Sequence, residues 1–292
     1  NFEENYSGET FQGSYIGGIY YPDKTRVGWW KNGYPEYFAK VLNAPNWIGI
    51  QIRIDNKEFD LNTCNKVDDY KRELNMKEGW HQRTFTAELP DGLQIEVKAK
   101  RFLSLKLNEV GAIHYEIKPL NRAAEIEYIP YVDAGITNQD SNWDDKFWDI
   151  TKVDTEGNRA YVHSHTLKTF FYVCTFMQAD AYLNDKKVDN QPKPIEEENK
   201  ALLSYKQKVD IDQKFSLVKF GGYTTSLNHN KNELQDAASS VLNEAAELGF
   251  DQLLEEQKKS WENIWHMSDI TIEGDIKAQQ GIRFNIYQLN QT

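Results

Sequence analysis

The sequence predicts a mainly β fold, an antiparallel sandwich or barrel, that gives way to helices near residue 230. Apolar and polar residues alternate with period two through most of the first 230 positions, the pattern of strands with one buried and one solvated face. From Asn232 onward the apolar residues recur at helical spacing, as one stripe of an amphipathic helix. No helical period interrupts the strands, so sheets packed face to face are expected rather than βαβ units.

Each element follows from its own residues. Trp47-Ile48-Gly49-Ile50-Gln51-Ile52-Arg53-Ile54 puts its isoleucines on one face. Leu93, Ile95, Val97 and Ala99 alternate with Gln94, Glu96, Lys98 and Lys100, and Ile113, Tyr115 and Ile117 repeat the pattern. Tyr161 to Ala179 is long, β-branched and aromatic, enough for two strands or one bent strand. Pro90-Asp91-Gly92, Glu156-Gly157-Asn158 and Leu183-Asn184-Asp185 read as turns. The doublets Gly17-Gly18 and Gly221-Gly222 read as bends or bulges, and the Pro- and Glu-rich stretch Asp189 to Glu198 as a solvated loop.

In the helical part, Leu234, Ala238, Val241, Leu242, Ala245 and Leu248 line one face, with Asn232 as the expected cap and Gly249 as the stop. A second helix carries Leu254, Trp261 and Trp265. Asp269 to Glu273 reads as a short strand or extended link, and Gly274-Asp275 caps a third helix. That helix is apolar on two sides, with Phe284 and Tyr287 on one and Ile282, Ile286 and Leu289 on the other, which predicts burial all round. A helix of about 12–15 residues is marginal alone, so a helical domain is expected to follow. The division is a β unit over 1–230, a two-helix linker over 231–268, and a lead-in strand and helix over 269–292.

Composition removes whole classes of function. With 34 Lys plus Arg against 45 Asp plus Glu, the net charge of −11 opposes a nucleic-acid partner or an anionic membrane surface. No apolar run approaches the roughly 20 residues of a membrane span. Cys64 and Cys174 are too few for a disulfide framework and read as packed free thiols of a reducing, cytoplasmic compartment. The acidic start shows neither a signal peptide nor an initiator Met, so the chain is expected to begin inside a longer protein.

Aromatic residues make up 13% of the chain, and two segments concentrate them. Tyr20 to Phe38 is too rich in Gly and Pro for a core strand, yet it carries Trp29 and Trp30, which cannot share a strand face. Leaving such rings uncovered forfeits several kcal/mol, so this fold, a further domain or a sugar ring should cover them. Asn138 to Trp148 mixes polar and aromatic residues in the same way. Its Asp140, Asp144 and Asp145 imitate the carboxylate pair of a glycosidase, but adjacency does not set two carboxyls ~5–10 Å apart, and a structural or docking loop is the plainer reading. The substrate-loop or interface candidates are Arg26, Trp29, Trp30, Lys31, Tyr34, Asn142, Trp143, Asp145 and Trp148. His163 and His165 share one strand face, which suits a metal only if a third ligand joins them, an acid–base pair on a sugar ring, or two plain structural histidines. No nucleophile elbow, P-loop or dinucleotide fingerprint occurs.

Longer motifs carry a family resemblance. Asn1-Phe2-Glu3-Glu4, Tyr6-Ser7-Gly8 and Gly13-Ser14-Tyr15 resemble the start of the disaccharide phosphorylases of glycoside hydrolase family 65. Tyr21-Pro22-Asp23-Lys24-Thr25-Arg26-Val27-Gly28-Trp29-Trp30-Lys31-Asn32-Gly33-Tyr34-Pro35, and Asp140-Ser141-Asn142 with Phe147-Trp148, resemble its maltose phosphorylase branch. Trp261, Trp265, Ser268-Asp269-Ile270 and the run Ala278 to Leu289 are similar to the approach to the family's catalytic barrel. The resemblance implies a galactose mutarotase-like antiparallel super-sandwich, linker helices, and the first helix of an (α/α)6 barrel. It implies inverting phosphorolysis of an α-linked glucose disaccharide, with inorganic phosphate as co-substrate and no metal or organic cofactor. The family's catalytic Glu and phosphate-binding residues belong to the barrel and have no matching position here. The chain alone is therefore expected to be inactive, to partner that barrel, and to shape the acceptor side of the active site or a homodimer contact. A stand-alone carbohydrate-binding module, or a mutarotase-like enzyme using His163 or His165, is the alternative.

Overall fold

The computed structural model describes residues 2–7, 13–25, 33–139, 141, 145–189 and 191–291. Strands β1 (Tyr20–Lys24) and β2 (Tyr37–Val41) form a hairpin, followed by β3 (Ile50–Ile54) and β4 (Lys57–Glu58). Next come β5 (Lys66–Asn75), β6 (Trp80–Glu88), β7 (Gln94–Leu103), β8 (Val110–Pro119) and β9 (Ala124–Asp133). A third group holds β10 (Trp148–Glu156), β11 (Arg159–Thr166), β12 (Tyr172–Leu183) and β13 (Lys186–Lys187). The last strands are β14 (Lys193–Glu196), β15 (Lys200–Val209) and β16 (Phe215–Thr225), before the helices α1 (Leu234–Ser268) and α2 (Ile276–Leu289).

The long strands build a nine-stranded sheet in the order β10-β11-β12-β16-β8-β7-β6-β5, with β13 attached to β12. A five-stranded sheet, β14-β15-β9-β3-β4, packs across it, and the pairings are antiparallel. Ile50, Ile52 and Ile54 of β3, with Ile126 and Tyr128 of β9, meet Phe85, Ile95, Val97, Tyr115 and Leu217 of the large sheet. These are the inward members of the predicted alternations. On the other face of the large sheet, Phe102, Ala112, Cys174, Phe176 and Phe220 pack against Leu234, Ala238, Leu242 and Ala245 of α1. The middle of the large sheet is thus buried on both faces, which is why β12 is nearly continuously buried instead of alternating.

The expected turns form, with positive φ at Gly92, Gly157, Asn184 and Asp185. Tyr161 to Ala179 resolves into two strands, β11 and β12. Other expectations are corrected. Gly221-Gly222 is no bulge, because both residues keep regular register with Gly111 and Val110. The glycines clear space instead: a Cβ on Gly111 or Gly221 would lie 2.5 or 2.7 Å from the Trp47 indole, and one on Gly222 would run into the Glu109 carbonyl. Asp189 to Glu198 contains the edge strand β14, since an edge position tolerates Pro194. The N-cap of α1 is Glu233, without a side-chain hydrogen bond, because Asn232 is drawn into a polar turn through its N–H to Asn230 Oδ1 at 3.1 Å. Gly249 breaks α1 at φ 70°, ψ 172°, dividing it as the sequence suggests.

Asp269 to Glu273 is an extended link, and Asp275 caps α2 by accepting from the Ala278 N–H at 3.0 Å. α2 folds back along α1: Tyr287 stacks on Trp261 at 4.5 Å, and Arg283 forks onto Asp269 at 2.7 and 2.8 Å. Within this chain α2 is covered on one side. Ile286 and Tyr287 are covered, whereas Ile276 is 88% and Leu289 77% exposed, because α1 supplies apolar surface along one side alone. No described helix is long and apolar enough to cross a membrane.

Among the described residues, Arg83 and Lys219 are basic side chains buried inside the sandwich. Arg83 of β6 donates to Glu4 at 2.8 and 2.6 Å and to Glu3, while Arg101 holds Glu3 at 2.7 Å. Phe2 lies under the Arg83 guanidinium at 4.5 Å. The Phe2-Glu3-Glu4 motif therefore straps the start of the chain onto the large sheet. Lys219 of β16 is fully buried and donates to the carbonyls of Gly49 and Tyr131 at 2.8 and 2.9 Å.

Candidate functional site

The β1–β2 hairpin has two unlike faces because its side chains alternate. Tyr21 and Asp23 point inward. Tyr21 stacks on Phe147 at 4.2 Å, and Asp23 pairs with Lys40 at 2.8 Å. Ile19, Tyr21, Leu42, Phe147, Trp148 and Val173 form a small core of their own beneath the hairpin. Tyr20, Lys24, Tyr37 and Val41 point outward and are exposed. At the far end Thr25 ties the strands together, its N–H donating to the Glu36 carbonyl at 2.9 Å.

The second aromatic segment lies directly beside this hairpin. Asn138 receives the Asn43 N–H on its Oδ1 at 2.8 Å and donates to the Val41 carbonyl at 3.1 Å. The Trp148 indole N–H donates to the Asn43 carbonyl at 2.8 Å. The β11–β12 connection closes the other flank: Thr169 donates to the Tyr20 carbonyl at 2.9 Å, and the Lys168 ammonium sits 4.6 Å from the Tyr21 ring. Three segments far apart in sequence thus converge on one end of the sandwich and present Tyr20, Tyr34, Tyr37, Val41, Leu167 and Phe170 to the outside.

Among the predicted residues, Tyr34 is 56% exposed on the β2 side of the hairpin. Asp145 is exposed, and its N–H donates to Ser141 Oγ at 3.1 Å. Trp148 is corrected: at 6% exposure it belongs to the core beneath the hairpin and acts as an internal anchor, with no surface to offer a ligand. Arg26, Trp29, Trp30, Lys31, Asn142 and Trp143 lie outside the described residues.

The two histidines share a strand face but not an environment. His163 Nε2 lies 3.0 Å from Gln235 Oε1 of α1 and 3.8 Å from Cys174 Sγ, and the Gln235 amide donates to Asp154 at 2.9 Å. Burial pushes His163 below the ordinary imidazole range and Cys174 up to about 12. That pair packs beneath the start of α1. His165 has its Nε2 3.2 Å from Asp149 Oδ2. Sequence reasoning missed Phe170. It stands in the left-handed region at φ 52°, where no Gly or Asn marks the turn.

Residues 1–264 match the N-terminal domain of glycosyl hydrolase family 65. Across its full length the chain is 38% identical to the maltose phosphorylase of Bacillus subtilis (strain 168), covering 38% of that protein. It is 30% identical to the α,α-trehalose phosphorylase of Thermoanaerobacter brockii, again over the whole chain and 38% of the relative. A solved human-microbiome structure described as a kojibiose phosphorylase superposes with a TM-score of 0.85 at 25% identity, over 99% of this chain and 37% of the other. The chain spans less than two-fifths of the length of the relatives it matches.

Proposed function

The chain belongs to glycosyl hydrolase family 65, as the N-terminal domain of its disaccharide phosphorylases, and from that premise we propose that it is the non-catalytic partner of a barrel that phosphorolyses maltose. In the longer protein a carboxylic acid protonates the glycosidic oxygen. Inorganic phosphate attacks the anomeric carbon from the opposite face, giving β-glucose 1-phosphate and glucose with inversion. The acid and the phosphate site belong to an (α/α)6 barrel beyond α2, and the exposed side of α2, with Ile276 and Leu289, is where that barrel would pack. The units are 1–230, 231–268 and 269–292, in a cytoplasmic homodimer.

The observation that supports a role near substrate is the outward aromatic face of the β1–β2 hairpin, braced from beneath by Tyr21, Phe147 and Trp148. A rigid hairpin that leaves Tyr20, Tyr34 and Tyr37 uncovered is suited to shaping the acceptor side of the active site, the dimer contact, or both. In the full-length protein, Trp30→Ala and Tyr34→Ala should raise the glucose-acceptor KM severalfold or release monomers, with phosphate KM unchanged. Unaltered kinetics together with unaltered mass would refute the role. This chain alone should release no glucose 1-phosphate from maltose and phosphate, and detectable release would refute its non-catalytic standing.

A further inference from the structure

The β11–β12 loop carries an aromatic residue where the backbone favours glycine. Thr166 closes the loop on itself: its carbonyl accepts the Phe170 N–H at 3.0 Å, its hydroxyl accepts the Phe171 N–H at 2.9 Å, and it pairs with the Thr169 hydroxyl at 2.6 Å. This closure sets residue 170 at φ 52°, and the Phe170 ring stands 59% exposed. A bulky residue in the left-handed region stores backbone strain, and an exposed ring forgoes its burial energy. The fold recovers neither, since the nearest ring partner is His165, with centroids 5.7 Å apart.

A row of side chains leads away from the ring, His165 beside it and Tyr172 beyond, with charges of both signs along the row. Asp149 is exposed and lies 3.2 Å from His165 Nε2. Tyr172 lies 5.2 Å from the His165 ring, and the Lys231 ammonium stands 5.1 Å from the Tyr172 ring. A carboxylate and an ammonium together favour neither an anion nor a cation. They suit a neutral polyhydroxylated ligand whose hydroxyls donate to one and accept from the other, while an apolar ring face stacks on an aromatic side chain.

We propose that Phe170, Tyr172, His165, Asp149 and Lys231 form a saccharide-binding site. The choice of an α-glucosyl sugar as its ligand rests on the family reading above, and the site itself rests on the loop. The test is a calorimetric titration of this chain with maltose and with glucose. Binding should be detected at millimolar sugar, and Phe170→Gly should weaken it by at least about tenfold. Glycine adopts the left-handed conformation freely, so the same variant should melt at an equal or higher temperature. Asp149→Asn should weaken binding severalfold without changing the melting temperature. No binding of either sugar, undiminished binding in Phe170→Gly, or a lower melting temperature in that variant would each overturn the site. Phosphorolysis by the full-length protein is assayed in parallel. Its presence alongside a failed titration rejects the loop site alone, and its absence alongside a successful titration rejects the phosphorylase reading alone.

Discussion

Arg83 and Lys219 are enclosed by the same sandwich and are accommodated in opposite ways. Burial works against the charge of Arg83, but hydrogen bonds and charges from Glu4 and Glu3 outweigh it and hold the guanidinium firmly protonated. Burial would also raise Glu3, yet Arg101 and Arg83 keep its carboxyl below the ordinary range. No carboxylate meets Lys219 among the described residues, and burial alone pushes it well below an ordinary lysine. Its amine donates to the Gly49 and Tyr131 carbonyls and lies 5.7 Å from the Tyr131 ring. Where the interior must hold a charge, it supplies counter-charges from a distant strap. Where it needs only a polar pin between sheets, backbone carbonyls receive the amine and burial disfavours its charge.

This contrast breaks most readily at Arg83. Arg83→Met would leave Glu3 and Glu4 without their partner in a closed site, and should cost about 3–5 kcal/mol in denaturant unfolding. The charge-free triple variant Glu3→Gln, Glu4→Gln, Arg83→Met should recover most of that loss. A single-variant cost under about 1 kcal/mol would mean the strap is not holding the sheet.

Next in size is Gly222, three residues beyond Lys219 on the same strand. Its Cβ would meet the Glu109 carbonyl, so Gly222→Ala should cost about 1–3 kcal/mol. This measures rigidity near the pin without touching a charge.

The smallest effect is expected at Lys219. Lys219→Met keeps the volume and should change stability by no more than about 1 kcal/mol at neutral pH. The direction with pH sharpens the comparison. The folded-state lysine sits below its ordinary value of 10.5, so below that pH the unfolded chain binds the extra proton and the natural protein loses stability as pH falls. The advantage of Lys219→Met should grow from pH 10.5 downward. Glu3 behaves differently, because its carboxyl is lowered: its contribution is complete above the ordinary carboxylate range and is lost as pH falls through its folded value. Unfolding curves over a pH series check both. A Lys219→Met difference that is flat with pH would show the ammonium to be charged in the fold.

The hairpin end was only partly legible in the sequence. Gly and Pro content marked Tyr20 to Phe38 as no ordinary core strand, and the structure does make β1–β2 a separate small sheet. Trp148 misled, because an aromatic in a polar segment looks like surface until Asn43 and Val173 are found beside it. Phe170 gave no signal: its left-handed φ is imposed by the bonds of Thr166, not by its own propensity. α2 shows its two apolar stripes, and within this chain α1 covers one of them.

Residue order by itself determined strands β3, β7 and β8 with their inward faces, the pair β11–β12, the helices after residue 230 and the turns. Those depend on spacing within a few residues and on the conformations that Gly, Asn and Asp allow. Tertiary structure alone decided which faces meet. Glu4 reaches Arg83 across 79 positions, and Lys219 reaches the Gly49 carbonyl across 170. A charged side chain in a local pattern reads as solvated whether or not a distant segment will close over it. Its partner becomes definable only once the sheets have packed.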